Sequence, residues 1–257
     1  MCKTRLSRWL SRLGAAAVFT ICIMGGSAVA DVTFVGSSGD LSAEATFAID
    51  GSNLVVTLTN TSEVDVLVPA DVLTAVFFSI VGDPALTRIS AVLNAGSTVF
   101  FGGTDPGDVV GGEWSYLNGI GALTPDGETQ GISSVGLDIF GPGNRFPGND
   151  LQAPESPDGL QYGITSAGDD TTTGNTPVTG ENALIQNSVV FTLGGLPQGF
   201  DLEDIFNVSF QYGTDLAEPN FPGEPDEPGE VIPEPATFCL LGIGLAGTAL
   251  RRLRKRS

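Results

Sequence analysis

No stretch between residues 31 and 215 repeats its apolar residues at a helical interval; short alternating runs stand there instead, cut off by Gly or Pro. Leu41, Ala43, Ala45, Phe47 and Ile49 fall on one side of an extended chain, with Ser42, Glu44, Thr46 and Ala48 on the other. Leu54, Val56 and Leu58 repeat the pattern after Asp50-Gly51-Ser52-Asn53, residues suited to a tight turn. Leu41–Asn60 is therefore expected as a hairpin. Further strands are expected at Val72–Val81, Ile89–Leu93, Ser97–Phe101, Gly131–Phe140, Leu160–Thr165, Asn187–Leu193 and Asn207–Tyr212. Val72–Ile80 fits either a fully buried strand or one short helix. Many short strands between Gly/Pro turns imply an all-β, β-sandwich-like ectodomain. Residues 140–150 and 167–177 carry no core pattern and are expected as long loops. Thirty-five glycines and sixteen prolines make about a fifth of 257 residues, below the ~25–30% of disordered low-complexity chains. No internal repeat supports a solenoid or propeller.

The two ends differ from this middle. Nine of eleven basic residues lie outside 31–250, which holds all thirty acids and only Arg88 and Arg145, a balance of −28. Nucleic acid and anionic lipid surfaces would be repelled. At the start, Lys3, Arg5, Arg8 and Arg12 precede an apolar run from Leu13 to Met24, of signal-peptide length and too short to span a bilayer. Small residues follow at Ala28 and Ala30, where a signal peptidase requires them, so residues 1–30 are expected as a cleaved signal helix and Asp31 as the mature N-terminus. Ile21 before Cys22 argues against a lipoprotein, and the n-region has no twin arginines. All three cysteines, Cys2, Cys22 and Cys239, lie outside the acidic middle, so disulfides contribute nothing to its stability.

Residues 216–232 are dominated by proline and acid and are expected as an extended, solvated linker, leaving 31–215 to fold alone as one all-β unit. Then come Pro233-Glu234-Pro235, an apolar stretch from Ala236 to Leu250, and the cluster Arg251, Arg252, Arg254, Lys255 and Arg256. Fifteen helical residues cover ~22 Å of a ~30 Å hydrocarbon core, and snorkelling basic side chains extend the reach. The basic cluster is expected to stay cytoplasmic, with the ectodomain outside. The order of motif, short transmembrane helix and basic terminus in 233–257 resembles the PEP-CTERM sorting signal. That resemblance implies recognition of Pro233, Glu234 and Pro235 by a membrane-embedded exosortase, cleavage near the motif, and release to the surface of a Gram-negative bacterium that makes extracellular polysaccharide. Segments 51–60 and 207–214 also resemble a group of exosortase-dependent surface proteins, which implies a surface placement but no reaction. The partners so implied are signal peptidase, exosortase and extracellular polysaccharide.

Catalytic signals are sparse. There is no histidine, so histidine-based general-base chemistry, Ser-His-Asp and Cys-His arrangements and histidine-ligated metals are excluded. No phosphate-binding loop occurs. Two alternatives to a non-enzymatic surface protein remain. One is an envelope glycosidase using a carboxylate pair, though no motif marks such a pair. The other is an adhesion module stabilised by calcium at Asp105/Asp108, Asp169/Asp170 or Asp201/Glu203/Asp204, none of which fits a twelve-residue calcium loop. No other cofactor is implied. Trp114 and Tyr116 would make a sugar-stacking platform if exposed; residues of that size more often fill a core.

Overall fold

The computed structural model describes residues 31–141, 150–153 and 160–226. The expected signal helix, the transmembrane helix, the sorting motif and the basic cluster lie outside them. Thirteen strands follow in chain order: β1 (Asp31–Ser38), β2 (Leu41–Asp50), β3 (Asn53–Asn60), β4 (Leu73–Ile80), β5 (Thr87–Leu93), β6 (Thr98–Phe100), β7 (Ser115–Asn118), β8 (Gln130–Ser133), β9 (Ile164–Thr165), β10 (Leu184–Gln186), β11 (Ser188–Gly194), β12 (Ile205–Tyr212) and β13 (Asn220–Pro225). The ectodomain is all-β, as its alternating pattern implies.

The hairpin β2–β3 pairs from Ala43 with Asn60 to Asp50 with Asn53. Its turn uses Gly51 at φ 62°, a left-handed conformation that costs glycine little. Strand order is β5-β11-β3-β2-β1-β13-β12-β4-β9-β10-β6, with β8 on β4 and β7 on β8. The sheet curls back on itself into a nearly closed, sandwich-like arrangement, with residues of β2, β3 and β11 sharing one core with those of β4 and β12. Phe47 on β2 meets Phe78 on β4 across the layers at 5.3 Å, and Phe34 on β1 at 5.8 Å. Edge-to-face rings at such spacing add to the burial of the main core.

Val72–Val81 resolves as strand, not helix. Every residue of β4 is buried because both faces are covered. Val76, Phe78 and Ile80 join the main core, while Ala75 and Phe77 join Ile120, Val135, Leu137 and Phe140 in a second cluster. That second cluster explains a departure from expectation at Gly131–Phe140. Only its first residues extend, in β8; Leu137 and Asp138 then take φ of 51° and 55° and turn the chain over β4. Leu160–Thr165 likewise shortens to β9.

The larger correction concerns 216–232. Its residues 220–225 form β13, seated between β1 and β12 where the two layers join. Phe221 is the reason. It is buried, 5.5 Å from the Tyr212 ring and 6.0 Å from that of Phe210, one apolar anchor in an otherwise polar run. Gln211 prepares the return: its amide nitrogen donates to the carbonyls of Tyr212 (2.7 Å) and Asp215 (3.1 Å), holding the preceding loop.

Candidate functional site

The acidic clusters divide into structural turns and one concavity. Asp201 accepts from the Glu203 amide at 3.2 Å, and Asp204 accepts from the Asp201 amide at 3.1 Å. The two carboxylates thus cap the 3-10 turn Leu202–Asp204 that leads into β12. Asp169 accepts from the Val66 amide at 2.8 Å, and Asp65 accepts from the Asp170 amide at 3.1 Å, pinning the 61–68 segment to the 166–173 loop. Burial, and then the charges of Asp65 and Asp170, push the Asp169 carboxyl above its ordinary range; the Val66 amide opposes them. Asp105 and Asp108 lie in a tight turn in which Asp105 and Val109 exchange backbone hydrogen bonds, with Asp108 at φ 59°. Among the described residues no three acidic, histidine or cysteine side chains converge to hold a metal ion.

Asp105 also lines a cavity of about 330 Å³ with Val109, Val110, Glu113 and Tyr162. The Tyr162 hydroxyl donates to the Gly103 carbonyl at 2.7 Å. Burial raises its pKa, and the charges of Glu113 and Asp105 raise it further, so the phenol stays neutral between two carboxylates. Such a recess offers negative charge, an aromatic edge and carbonyl oxygens. Its chemistry suits a cationic or hydroxyl-rich group better than an anion. Glu113 and Tyr162 carried no marker in the sequence; they meet only because β9 and the 101–113 loop are folded together.

Trp114 and Tyr116 form no platform. Trp114 is wholly buried with its ring 4.9 Å from Phe191, and Tyr116 donates to the buried Gln130 amide oxygen. Gln130 in turn donates to Asp83 at 2.7 Å and to the Pro84 carbonyl at 3.1 Å, a polar strut under β8. The two buried acids have separate partners. Glu128 accepts from the Ser209 hydroxyl and from the Asp126 amide (3.1 Å) beside β12, whereas Asp169 serves the far loops.

Of the sorting residues, Asp31 alone is described. It is exposed and opens β1, opposite Ala48 of β2. Ala28 and Ala30, Pro233, Glu234 and Pro235, and Arg251, Arg252, Arg254, Lys255 and Arg256 lie outside the described residues. Comparison with known proteins decides the tail: residues 231–255 match the family described as the PEP-CTERM protein-sorting motif. The chain bears a PEP-CTERM sorting signal. This signal marks an exported protein, anchored through a C-terminal membrane signal and sorted to the surface by an exosortase. No curated protein and no solved structure matches the chain. Among the described residues no helix is long and apolar enough to cross a membrane.

Proposed function

We propose that the mature protein is a non-enzymatic component of the surface or extracellular matrix of a Gram-negative bacterium, where its ectodomain associates with polysaccharide. The PEP-CTERM match over 231–255 carries the reading, because it ties this domain to a route that ends at the surface. Three features support the absence of turnover. The chain has no histidine, and its ectodomain has no cysteine. The buried acids Glu128 and Asp169 each satisfy backbone or hydroxyl donors of the fold, which leaves Asp105 and Glu113 of the Tyr162 recess as the carboxyls a glycosidase would have to use. Polysaccharide contact would fall to the recess around Tyr162, whose hydroxyl-accepting oxygens suit neutral sugars.

Replacing Pro233, Glu234 and Pro235 with alanine tests the sorting. The variant is expected to accumulate unprocessed in the membrane fraction, and normal release to the surface would refute the reading. Incubating purified protein with neutral and acidic glycans tests the absence of catalysis. Release of reducing ends that vanished on mutating a single carboxylate would overturn it.

A further inference from the structure

Both processed ends leave the fold at one pole. Asp31 begins β1, and β13 runs antiparallel to it, with Phe34 opposite Pro225 and the Asp226 amide donating to the Thr33 carbonyl at 2.7 Å. The chain therefore exits at Asp226 beside the residue where it entered. Seven Cα steps separate Asp226 from Pro233, which limits their separation to about 25 Å. Strands of eight to ten residues, at about 3.3 Å each, make the domain about 30 Å tall along β2. The exit pole is thus held near the membrane, and the opposite loops stand away from it.

The same pole exposes apolar surface. Ile80 of β4 pairs with Ile205 of β12 and faces the core, so the next residues Val81 and Phe206 point away from it, Phe206 opposite the buried Ser79. Val81 is 60% and Phe206 49% exposed. Diagonal neighbours on paired strands are about 7–8 Å apart, so the two form one patch. The acids Asp31, Asp50, Asp83, Asp204 and Asp226 ring this end, at strand termini and turns. Anionic headgroups would be repelled by that ring. An apolar surface bordered by basic groups fits it.

We propose that Val81 and Phe206 form a contact surface for the membrane-embedded exosortase that reads the tail, engaged while the domain is tethered at this pole. The inference rests on the sorting reading above. The occupant is set by tether length: a protein that grips Pro233 lies within about 25 Å of the patch.

The test follows the precursor and its processed product by pulse-chase in the native host. A double variant, Val81→Ser with Phe206→Ser, is expected to be processed several-fold more slowly at unchanged Tm, whereas Leu67→Ser, equally exposed at 50% on the opposite loops, keeps the wild-type rate. A twenty-residue Gly/Ser insert after Asp226 provides a measurement independent of the substitutions. It dilutes the patch roughly eightfold by the −3/2 power of tether length, so processing slows and the double variant loses its further effect. Wild-type processing of the double variant, or equal slowing by Leu67→Ser, overturns the surface. If alanines at 233–235 still block processing, the sorting reading survives that outcome; if they do not, both fail. Phe206-dependent binding of the purified mature protein to anionic vesicles would assign the patch to lipid and also overturn the proposal.

Discussion

Replacing Phe221 with alanine asks whether the domain ends at residue 215 or at 226. Phe221 is 5% exposed and lies against Tyr212 and Phe210. Deleting a buried phenyl ring costs about 3–5 kcal/mol, through lost transfer energy and the cavity left behind. A domain of about 200 residues unfolds with roughly 0.4 kcal/mol/K of entropy, so Tm should fall by about 7–12 °C. Calorimetry on the chain 31–226 measures this, with Phe206→Ala as a control on the neighbouring strand. Phe206 is half exposed, and its truncation should change stability by no more than about 0.5 kcal/mol. Equal, small shifts for both variants would show β13 to be a loosely held tail and would refute its place in the fold. The truncation 31–215 should lose cooperative unfolding altogether, because β1 and β12 are both left without a partner along one edge.

Gly36→Ala should destabilise the same seam by about 1–3 kcal/mol, since its Cβ would come within 2.6 Å of the Pro222 carbonyl oxygen; urea melts that matched wild type would show the strands free to separate. Asp169→Asn should raise Tm at pH 7. The raised carboxyl pKa means that this site stabilises the fold below the ordinary aspartate range and loses that contribution as pH climbs through the folded value. Asparagine keeps an acceptor for the Val66 amide without the charge, so the two melting curves should converge near pH 3. A variant less stable than wild type at pH 7 would contradict the assignment.

The architecture was legible where side-chain periodicity reports one-sided burial. β2, β3 and β11 bury alternate residues and were readable from them. β4 is buried on both faces, and periodicity alone left it open between strand and helix. β13 was hidden for the opposite reason: two prolines, a glycine and an acid accompany its one apolar anchor, and only the gap between β1 and β12 makes them extend. Composition describes such a segment as linker; context makes it a strand. The sorting signal was readable because it is local, three parts in order within 233–257. The recess was not, because Asp105, Glu113 and Tyr162 come together only through tertiary folding.

Charge supplies a last test, because the domain's acidity has two separable consequences. From Asp31 to Asp226 there are twenty-seven acids against two arginines, a balance of −25 spread over strand ends and loops. Self-repulsion of this kind opposes the compact state, and it acts over the Debye length, which shrinks from about 30 Å at 0.01 M salt to about 8 Å at 0.15 M. Most of the repulsion should therefore be screened within that interval, and Tm in sodium chloride should rise steeply there and then level. Calcium adds something different only if ligands converge. Asp201 and Asp204 are occupied as caps, Asp169 holds a backbone amide, and no three acids converge among the described residues. Melting in calcium chloride and in sodium chloride at equal ionic strength should accordingly coincide, and chelator should lower neither curve. A calcium-specific rise, saturable and reversed by chelation, would refute simple screening and restore the calcium-stabilised adhesion module. A fall in Tm between 0.01 and 0.15 M sodium chloride would show that attractive pairs, not net repulsion, dominate the surface.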